Sequence, residues 1–497
     1  MASFMTDRVT VFTDNRSSWV IYPRWNRLLL AIVGLSAFGG LIGLAKVFTF
    51  APLVTLSAVV GIILFVISFL KPVLGLLLWA GLLGFQVETY STLGVNIAPA
   101  DLILIALLLN IILRILLKKI TIPKTRTAKW LLGLIIIFTI GLLKTLKTFG
   151  YLPRYAIFNK YLGFCLLIAS YYMIVTIVNN RQILASILQA LFITGVIVNY
   201  IVLCPYLLYV TKIGSGLLLK SIIPIVIEGG RLRGFLLDPN AYGGFVALLL
   251  IYALSGKTQG LAPRALEGLN IFSLTAGLFF TFSRSAWLGF IIGFLVILYS
   301  TGIGRFRIQF KVLPSAFRIL VMLGLGIAIV GFLAILLRIL NLDSRFLVFR
   351  DFTLTQRLAL IDNGWRLFTQ SPIFGIGLGA FHELAPTIIH NSYIWVLVEM
   401  GPFALILLLA LFVQAVSNCL AVSDESTLCP QRGACVHPPK VDWTNRAWED
   451  GHRNFVFCCA GLFALYGIGL GIEVLYQRHL WLLFGLADCL RRDSHPL

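Results

Sequence analysis

Between about Asn341 and Gly401 a long apolar sequence is interrupted by roughly fifty polar and charged residues. The interruption carries Arg345, Arg350, Arg357 and Arg366. It closes with Phe374-Gly375-Ile376-Gly377-Leu378-Gly379, then His390-Asn391-Ser392-Tyr393, and returns to an apolar helix through Glu399-Met400-Gly401. Imidazole can take a proton near neutral pH, and guanidinium grips an oxyanion with a rigid two-pronged fork. A histidine at the mouth of an apolar helix, facing a loop rich in arginine, points to chemistry on an anionic substrate at a membrane surface.

Two further segments carry the same residue types. Gly230-Arg231-Leu232-Arg233-Gly234-Phe235 precedes Asp238-Pro239-Asn240. Asp238 suits a helix N-cap and Pro239 the first turn, which accounts for those two residues but not for the arginines. Guanidinium groups beside a helix N-terminus make a site for phosphate. Ser283-Arg284-Ser285 lies between two apolar segments. Its serines read as turn and cap residues, and Arg284 either snorkels to the interface or lines a polar cavity. His390 has two readings as well. It is a hydrogen-bonding residue at a helix start, or a general base kept neutral by the helix N-terminus. Asn391 or Ser392 would cap that helix in either case, and His382 is the competing histidine. Glu399, about two and a half turns deeper on the same helix, is expected to face the bundle interior because a carboxylate in lipid is costly.

These groups must be positioned by membrane helices. The chain has 497 residues, is 59% hydrophobic and only 12% charged, and has a mean hydropathy of +0.94. The apolar runs are continuous rather than alternating, so spanning helices are expected and a closed barrel is not. The fold class expected is an all-α polytopic membrane protein with about twelve to fourteen transmembrane helices. Their cores fall near 28–47, 53–70, 72–88, 102–117, 130–146, 161–178, 183–204, 241–255, 268–283, 286–300, 318–338, 391–416 and 454–475. A half-span or interfacial helix is expected near 479–489. Within this single membrane domain, 1–497, four polar pieces stand out: an inner tail 1–26, an outer segment 205–240, a large outer loop 341–390 and an irregular inner loop 417–453. In the large loop Arg357, Leu360, Ile361, Trp365 and Phe368 recur at helical spacing, as an amphipathic helix over the membrane face would. The polar start has no cleavable-signal pattern, and the first apolar run reads as a signal anchor.

The formal charge of +20 fits basic inner loops rather than nucleic-acid binding. With the N-terminus cytoplasmic, Arg8, Arg16, Arg24 and Arg27 fall inside, as do Arg114, Lys118, Lys119, Lys124, Arg126 and Lys129, and Arg305, Arg307, Lys311 and Arg318. Lys144, Lys147, Arg154, Lys160, Lys212, Lys220, Arg231, Arg233 and Arg284 then fall outside, with the arginines of 341–390. Translocating them is unfavourable, so they have a use, and an anionic ligand is the simplest one. Contact with lipid phosphate accounts for part of the set. The eight cysteines form no secreted framework. Cys419, Cys429, Cys435 and His437 gather in the inner loop without a C-x-x-C pair, and reduced thiols are the expectation there rather than a zinc site.

No G-x-S-x-G elbow, P-loop lysine or H-E-x-x-H pair is present, and outer carboxylates are few. In order and spacing, Arg233-Gly234 to Pro239-Asn240, Ser283-Arg284, Arg357 ahead of Trp365, Ser371-Pro372 to Gly377, and His390-Asn391-Ser392-Tyr393 to Glu399-Met400-Gly401 resemble the O-antigen ligase and O-antigen polymerase superfamily of bacterial membrane proteins. The resemblance covers about 225–415; the first 200 residues match only as a hydropathy pattern. It implies a metal-independent glycosyl transfer, without cofactor, at the outer face of the bacterial inner membrane. The donor would be a glycan on undecaprenyl pyrophosphate. The acceptor hydroxyl would belong to lipid A-core, another glycan or a protein. Carried over, His390 would activate that hydroxyl. Arg231 or Arg233, Arg284 and Arg357 would hold the pyrophosphate, with Asn240, Asn391 and Glu399 in support. The alternative from a different class is a transporter, or transport accessory, for a small anion such as bicarbonate. That reading calls for ionisable residues at mid-membrane, whereas Glu88, Lys144, Lys147 and Glu473 fall near expected helix ends.

Overall fold

The computed structural model describes residues 51–86, 98–211, 223–236, 238–257, 264–301, 351–385, 387–425 and 443–494. They form a helical bundle with a single two-stranded hairpin among the described residues. In chain order the helices are α1 (Ala51–Leu70), α2 (Pro72–Gly81), α3 (Pro99–Leu116), α4 (Ala128–Phe149), α5 (Gly163–Ile177) and α6 (Arg181–Val210). After the hairpin come α7 (Pro239–Tyr252), α8 (Arg264–Phe280), α9 (Arg284–Thr301), α10 (Asp351–Thr369), α11 (Ala380–Leu384), α12 (Ser392–Met400), α13 (Pro402–Glu425), α14 (Trp443–Ile468) and α15 (Arg478–Ser494). Among the described residues seven helices are long and apolar enough to cross a membrane, and four shorter apolar ones lie beside them. The chain is a multi-pass, all-α membrane protein, as expected. The apolar runs 28–47 and 318–338, the tail 1–26 and the basic cluster 305–318 lie outside the described residues.

Several boundaries differ from the sequence expectation. The run 391–416 is not one helix. It breaks at Gly401, whose φ of 83° is left-handed, and restarts at Pro402, which cannot donate the helix bond that would bridge the break. The segment near 479–489 is neither a half-span nor interfacial. It is α15, buried along most of its length against α5 and α13. Its polar residues hid it: Arg478 makes a bidentate bond to Asp101 at 2.7 and 3.0 Å, at the start of α3, and Asp488 accepts from Tyr171 Oη at 2.7 Å and from Asn418 Nδ2 at 2.9 Å. Paired in this way, charged groups can sit inside a bundle. The 417–453 loop is shorter than expected, because α13 runs on to Glu425 and α14 starts at Trp443; residues 426–442, with Cys429, Cys435 and His437, lie outside the described residues. The outer segment 205–240 also begins later, since α6 continues through Pro205 to Val210.

The bundle has two ends that differ in what they gather. One collects the hairpin, the C-terminal ends of α6, α8 and α14, and the N-terminal ends of α7, α9, α12 and α15. Lys144, through bonds to Ser371 Oγ and the Gly375 carbonyl, and Lys160 belong to this end. The other end joins the 118–127 connector, the C-terminus of α5 and the C-terminus of α15. The two groups of basic residues assigned to opposite sides from sequence therefore separate onto opposite ends where they are described.

One helix pair sets the first end. α9 packs along α14 through Gly289 and Gly293, four residues apart, the spacing that lets membrane helices approach backbone to backbone. A Cβ on Gly289 would stand 2.5 Å from the Ala464 carbonyl oxygen and 2.4 Å from Ile468 Cγ1, and one on Gly293 would stand 2.9 Å from the Ala460 carbonyl oxygen. Beyond Gly289, one turn towards the helix start, Ser285 meets Gly471, where an added Cβ would stand 2.6 Å from the serine Cβ. The close approach thus fixes Arg284 against the connector that follows α14. Gly289→Ala should lower stability by about 1–3 kcal/mol, the usual cost of overpacking. A thermal melt of the purified protein in detergent checks this, and an unchanged melt would mean that the two helices have room to part.

Candidate functional site

The hairpin that carries the first two arginines is short. Ile227 pairs with Leu232 and Glu228 with Arg231, and Gly229 and Gly230 turn the chain with φ of 55° and 79°. Positive φ at both central residues is what a two-residue hairpin turn requires, so two glycines are the natural choice. Residues two apart on a strand share a face, but β2 ends at Leu232 and the chain turns at Gly234, with φ of 60°, so the two arginines part. Arg231 turns inward: Nε donates to the Thr281 carbonyl at 2.8 Å and NH2 to Asn240 Oδ1 at 2.9 Å. Arg233 is held by backbone, with Nε to the Ile225 carbonyl at 2.9 Å, NH2 to the Pro224 carbonyl at 3.1 Å and Glu228 at 3.8 Å. Asn240, a supporting residue in the sequence reading, is thus a direct partner of Arg231. Asp238 caps α7 as expected, accepting from the amides of Asn240 at 2.7 Å and Ala241 at 3.1 Å.

Arg284 is the first residue of α9 and is exposed. Ser283 ahead of it accepts from the Ala286 amide at 3.3 Å, the cap role read from sequence. Arg357 comes from α10, whose Leu360, Ile361, Leu367 and Phe368 pack on the core, while Gly364 is buried where an added Cβ would stand 2.9 Å from Ile389. Trp365, placed on the same face by spacing, is instead 52% exposed. Arg357 NH1 reaches the Gly471 carbonyl at 3.4 Å.

His390 is half-buried immediately before the α12 cap. Asn391 caps the helix, its Oδ1 accepting from the amides of Tyr393 and Ile394, each at 3.0 Å. Its Nδ2 donates to the Leu470 carbonyl at 3.0 Å. Ser392 Oγ donates to the Ile472 carbonyl and accepts from the Val474 amide, both at 2.7 Å, and its own amide donates to Gly469 at 2.8 Å. Asn391 and Ser392 therefore clamp the connector between α14 and α15. Glu399 is buried, as expected, but in a structural setting: it accepts the Gly379 amide at 2.7 Å and ties the glycine-rich 375–379 turn to the break at Gly401. His382 is engaged elsewhere, in α11 rather than in a loop, with its ring stacked 3.9 Å from Tyr155.

The clamped connector brings in a residue that the sequence reading did not assign to the site. Glu473 lies between the two backbone groups held by Ser392. Its Oε2 pairs at 2.6 Å with Lys160, which is boxed by the rings of Trp395, Tyr476 and Tyr155 at 4.2, 4.7 and 5.4 Å. Its Oε1 is buried without a protein partner among the described residues. A signal for it existed. Gly467-Ile468-Gly469-Leu470-Gly471 repeats the run Gly375-Ile376-Gly377-Leu378-Gly379, and Glu473 follows the second copy.

The charges converge. Arg231 feels Arg357 and Arg284, Arg357 feels Arg284, and Asp238 offsets part of each. Burial, and then these like charges, pull both buried guanidinium groups down from their ordinary value. His390 is lowered as well, by burial first and then by Arg357, against the opposing pull of Glu473 and Asp238. Of the residues named from sequence, His390, Arg231, Arg284 and Arg357 thus share one field, while Arg233 and Glu399 are held by other contacts. Three guanidiniums, offset in part by Asp238 and at Arg231 also by Glu228, would suit a multiply charged anion beside an imidazole whose neutral form is favoured.

A depressed imidazole is protonated later than its unfolded counterpart, so this group favours folding above the ordinary imidazole range and loses that contribution as pH falls through it. Replacing Arg357 by Gln should move the titration of His390 upward. Site-resolved mass spectrometry of diethyl pyrocarbonate labelling across pH reads this directly. A titration that stays in place or moves down would mean that Arg357 does not act on the ring.

No curated protein matches the chain. Residues 269–409 match the family model described as O-antigen ligase. The matched span runs from within α8 into α13 and contains Arg284, Arg357, His390 and Glu399; the hairpin arginines and Glu473 fall outside it. Over this span the chain is similar to the O-antigen ligase family, which supports glycan transfer or ligation as the general class of chemistry.

Proposed function

We propose that the protein transfers or polymerises an oligosaccharide carried on undecaprenyl pyrophosphate, joining it to a hydroxyl of lipid A-core, of another glycan or of a protein. The reaction would take place at the outer face of the bacterial inner membrane, with the N-terminus cytoplasmic. The observation that carries this reading is the convergence of His390 with Arg231, Arg284 and Arg357 at one end of the bundle. His390 takes the proton of the acceptor hydroxyl as that oxygen bonds to the anomeric carbon of the donor sugar. The bond from that carbon to the pyrophosphate oxygen breaks, and the electron pair leaves with the lipid pyrophosphate. The three arginines stabilise the charge that develops there and need no metal to do so. Glu473 stabilises the imidazolium formed in this step, and Lys160 fixes its carboxylate. Arg233 holds the hairpin in shape.

Purified protein given lipid-linked donor and acceptor at matched protein levels tests the roles. His390→Ala should insert normally, because Asn391 still caps α12, and should lose roughly 10²–10⁴ in rate. Arg231→Ala and Arg284→Ala should each lose about 10²–10³, and lysine should rescue only in part. His382→Ala should be much milder, and EDTA should leave activity intact. Glu473→Gln should shift the acid limb of the pH profile to lower pH, since the ring loses an opposing negative charge. Full activity in His390→Ala would remove the base assignment. A cysteine placed at Gly229 should react with an impermeant thiol reagent in sealed cells while one at Lys119 stays unlabelled, and the reverse pattern would invert the proposed topology.

A further inference from the structure

At the end of the bundle opposite the candidate site, a cavity of about 260 Å³ opens between the 118–127 connector and the C-termini of α5 and α15. Lys124, Thr125, Arg126, Asp488, Arg491 and Arg492 line it. The separation from the site follows from α15, whose 17 residues run from Arg478, near Glu473, to these arginines, about 25 Å away. Four cationic side chains face one carboxylate, and that carboxylate is already engaged by Tyr171 Oη and Asn418 Nδ2. Arg492 bonds neutral carbonyls, those of Val175 and Val178, so these bonds do not cancel its charge. Arg491 has Arg126 as a like-charged neighbour and Asp488 as an opposite one, and its NH1 donates to Asn418 Oδ1 at 3.0 Å. Among the described residues the lining therefore holds more cations than carboxylates, together with polar donors, and the cavity has less volume than the ~300–1,000 Å³ of sites for drug-sized ligands. A phosphate group satisfies all three conditions.

Its surroundings indicate where the phosphate comes from. Beside the connector that supplies Lys124 and Arg126, Leu116 and Leu117 at the end of α3 and Ile122 on the connector itself are 73%, 54% and 49% exposed. Lys129, next along the chain, sits 4.8 Å over the Trp130 ring, an arrangement suited to the boundary between headgroups and acyl chains. Charged groups that open beside bare apolar side chains fit an amphiphile rather than a soluble anion. We propose that this cavity binds the phosphate headgroup of an anionic phospholipid in the leaflet opposite the candidate site, its acyl chains lying along Leu116, Leu117 and Ile122.

Native mass spectrometry of the full-length protein, exchanged from detergent into mixed phosphatidylglycerol and phosphatidylcholine, tests the site. The wild type should retain phosphatidylglycerol selectively. Lys124→Gln/Arg126→Gln/Arg492→Gln should bind it roughly a hundredfold more weakly, at the usual strength of a basic residue at an anionic surface. Arg492 also holds the end of α5, so Lys124→Gln/Arg126→Gln, which alters only exposed side chains, serves as the second variant and should lose at least about tenfold. Lys118→Gln/Lys119→Gln removes the same charge from the same connector outside the cavity and should bind as the wild type does. Equal retention of the two lipids, or equal loss in both double variants, would overturn the site. Displacement of phosphatidylglycerol by millimolar inorganic phosphate would overturn the lipid assignment in favour of a soluble phosphate.

Discussion

The clamp of Asn391 and Ser392 on the 469–474 connector is the interaction on which the candidate site depends. Ser392 alone satisfies a carbonyl, a backbone amide and its own hydroxyl, and Asn391 caps α12 while also holding Leu470. Each such bond contributes about 1 kcal/mol net, but a buried partner left unsatisfied costs about 1–3 kcal/mol. The penalty fixes the geometry at Ser392, whose bonds are buried and cannot be replaced by water, while the Asn391 bond to Leu470 is exposed. With the connector pinned, His390, Glu473 and the Gly471 carbonyl that receives Arg357 occupy fixed relative positions. The Gly289–Gly293 contact then brings Arg284 to the same connector from the other side. Three helices distant in sequence thus meet at one short piece of chain.

The same end shows two ways of keeping a cation in a low-dielectric place. Lys160 is held by one oxygen of Glu473 and by three aromatic rings, a compensated cation. Arg231, Arg284 and Arg357 repel one another, with Asp238, and at Arg231 also Glu228, as partial offsets. Holding like charges together costs stability, and an anion bound among them would recover it. Such a site would favour a dianionic or trianionic group over a neutral sugar, as the proposed departure of a lipid pyrophosphate requires.

The helices were legible because apolar runs announce themselves: α3, α4, α6 and α9 lie within a few residues of the expected cores. α15 was not, because its half-buried Arg478 and buried Asp488 lower its hydropathy, and their partners, Asp101 and Tyr171, are more than three hundred residues away. His390, Arg231, Arg284 and Arg357 were legible because charged residues at the ends of apolar segments need a reason. Spacing alone could not separate Arg231 from Arg233; the end of the strand at Leu232 and the turn at Gly234 do so. Glu473 was missed because one acidic residue after a helix is unremarkable until Ser392, about eighty residues earlier, is seen to hold both of its neighbours. The break at Gly401 was hidden by the continuity of hydropathy across it.

The most direct measurement is the stoichiometry of lipid pyrophosphate release in proteoliposomes containing the purified protein, a lipid-linked glycan and an acceptor, with EDTA present. Glycosyl transfer at the arginine cluster predicts that each glycan joined to acceptor releases one undecaprenyl pyrophosphate, and that release stops when acceptor is withheld. Uptake of a small anion across the membrane with no release of lipid pyrophosphate would contradict the account and assign the same arginines to transport.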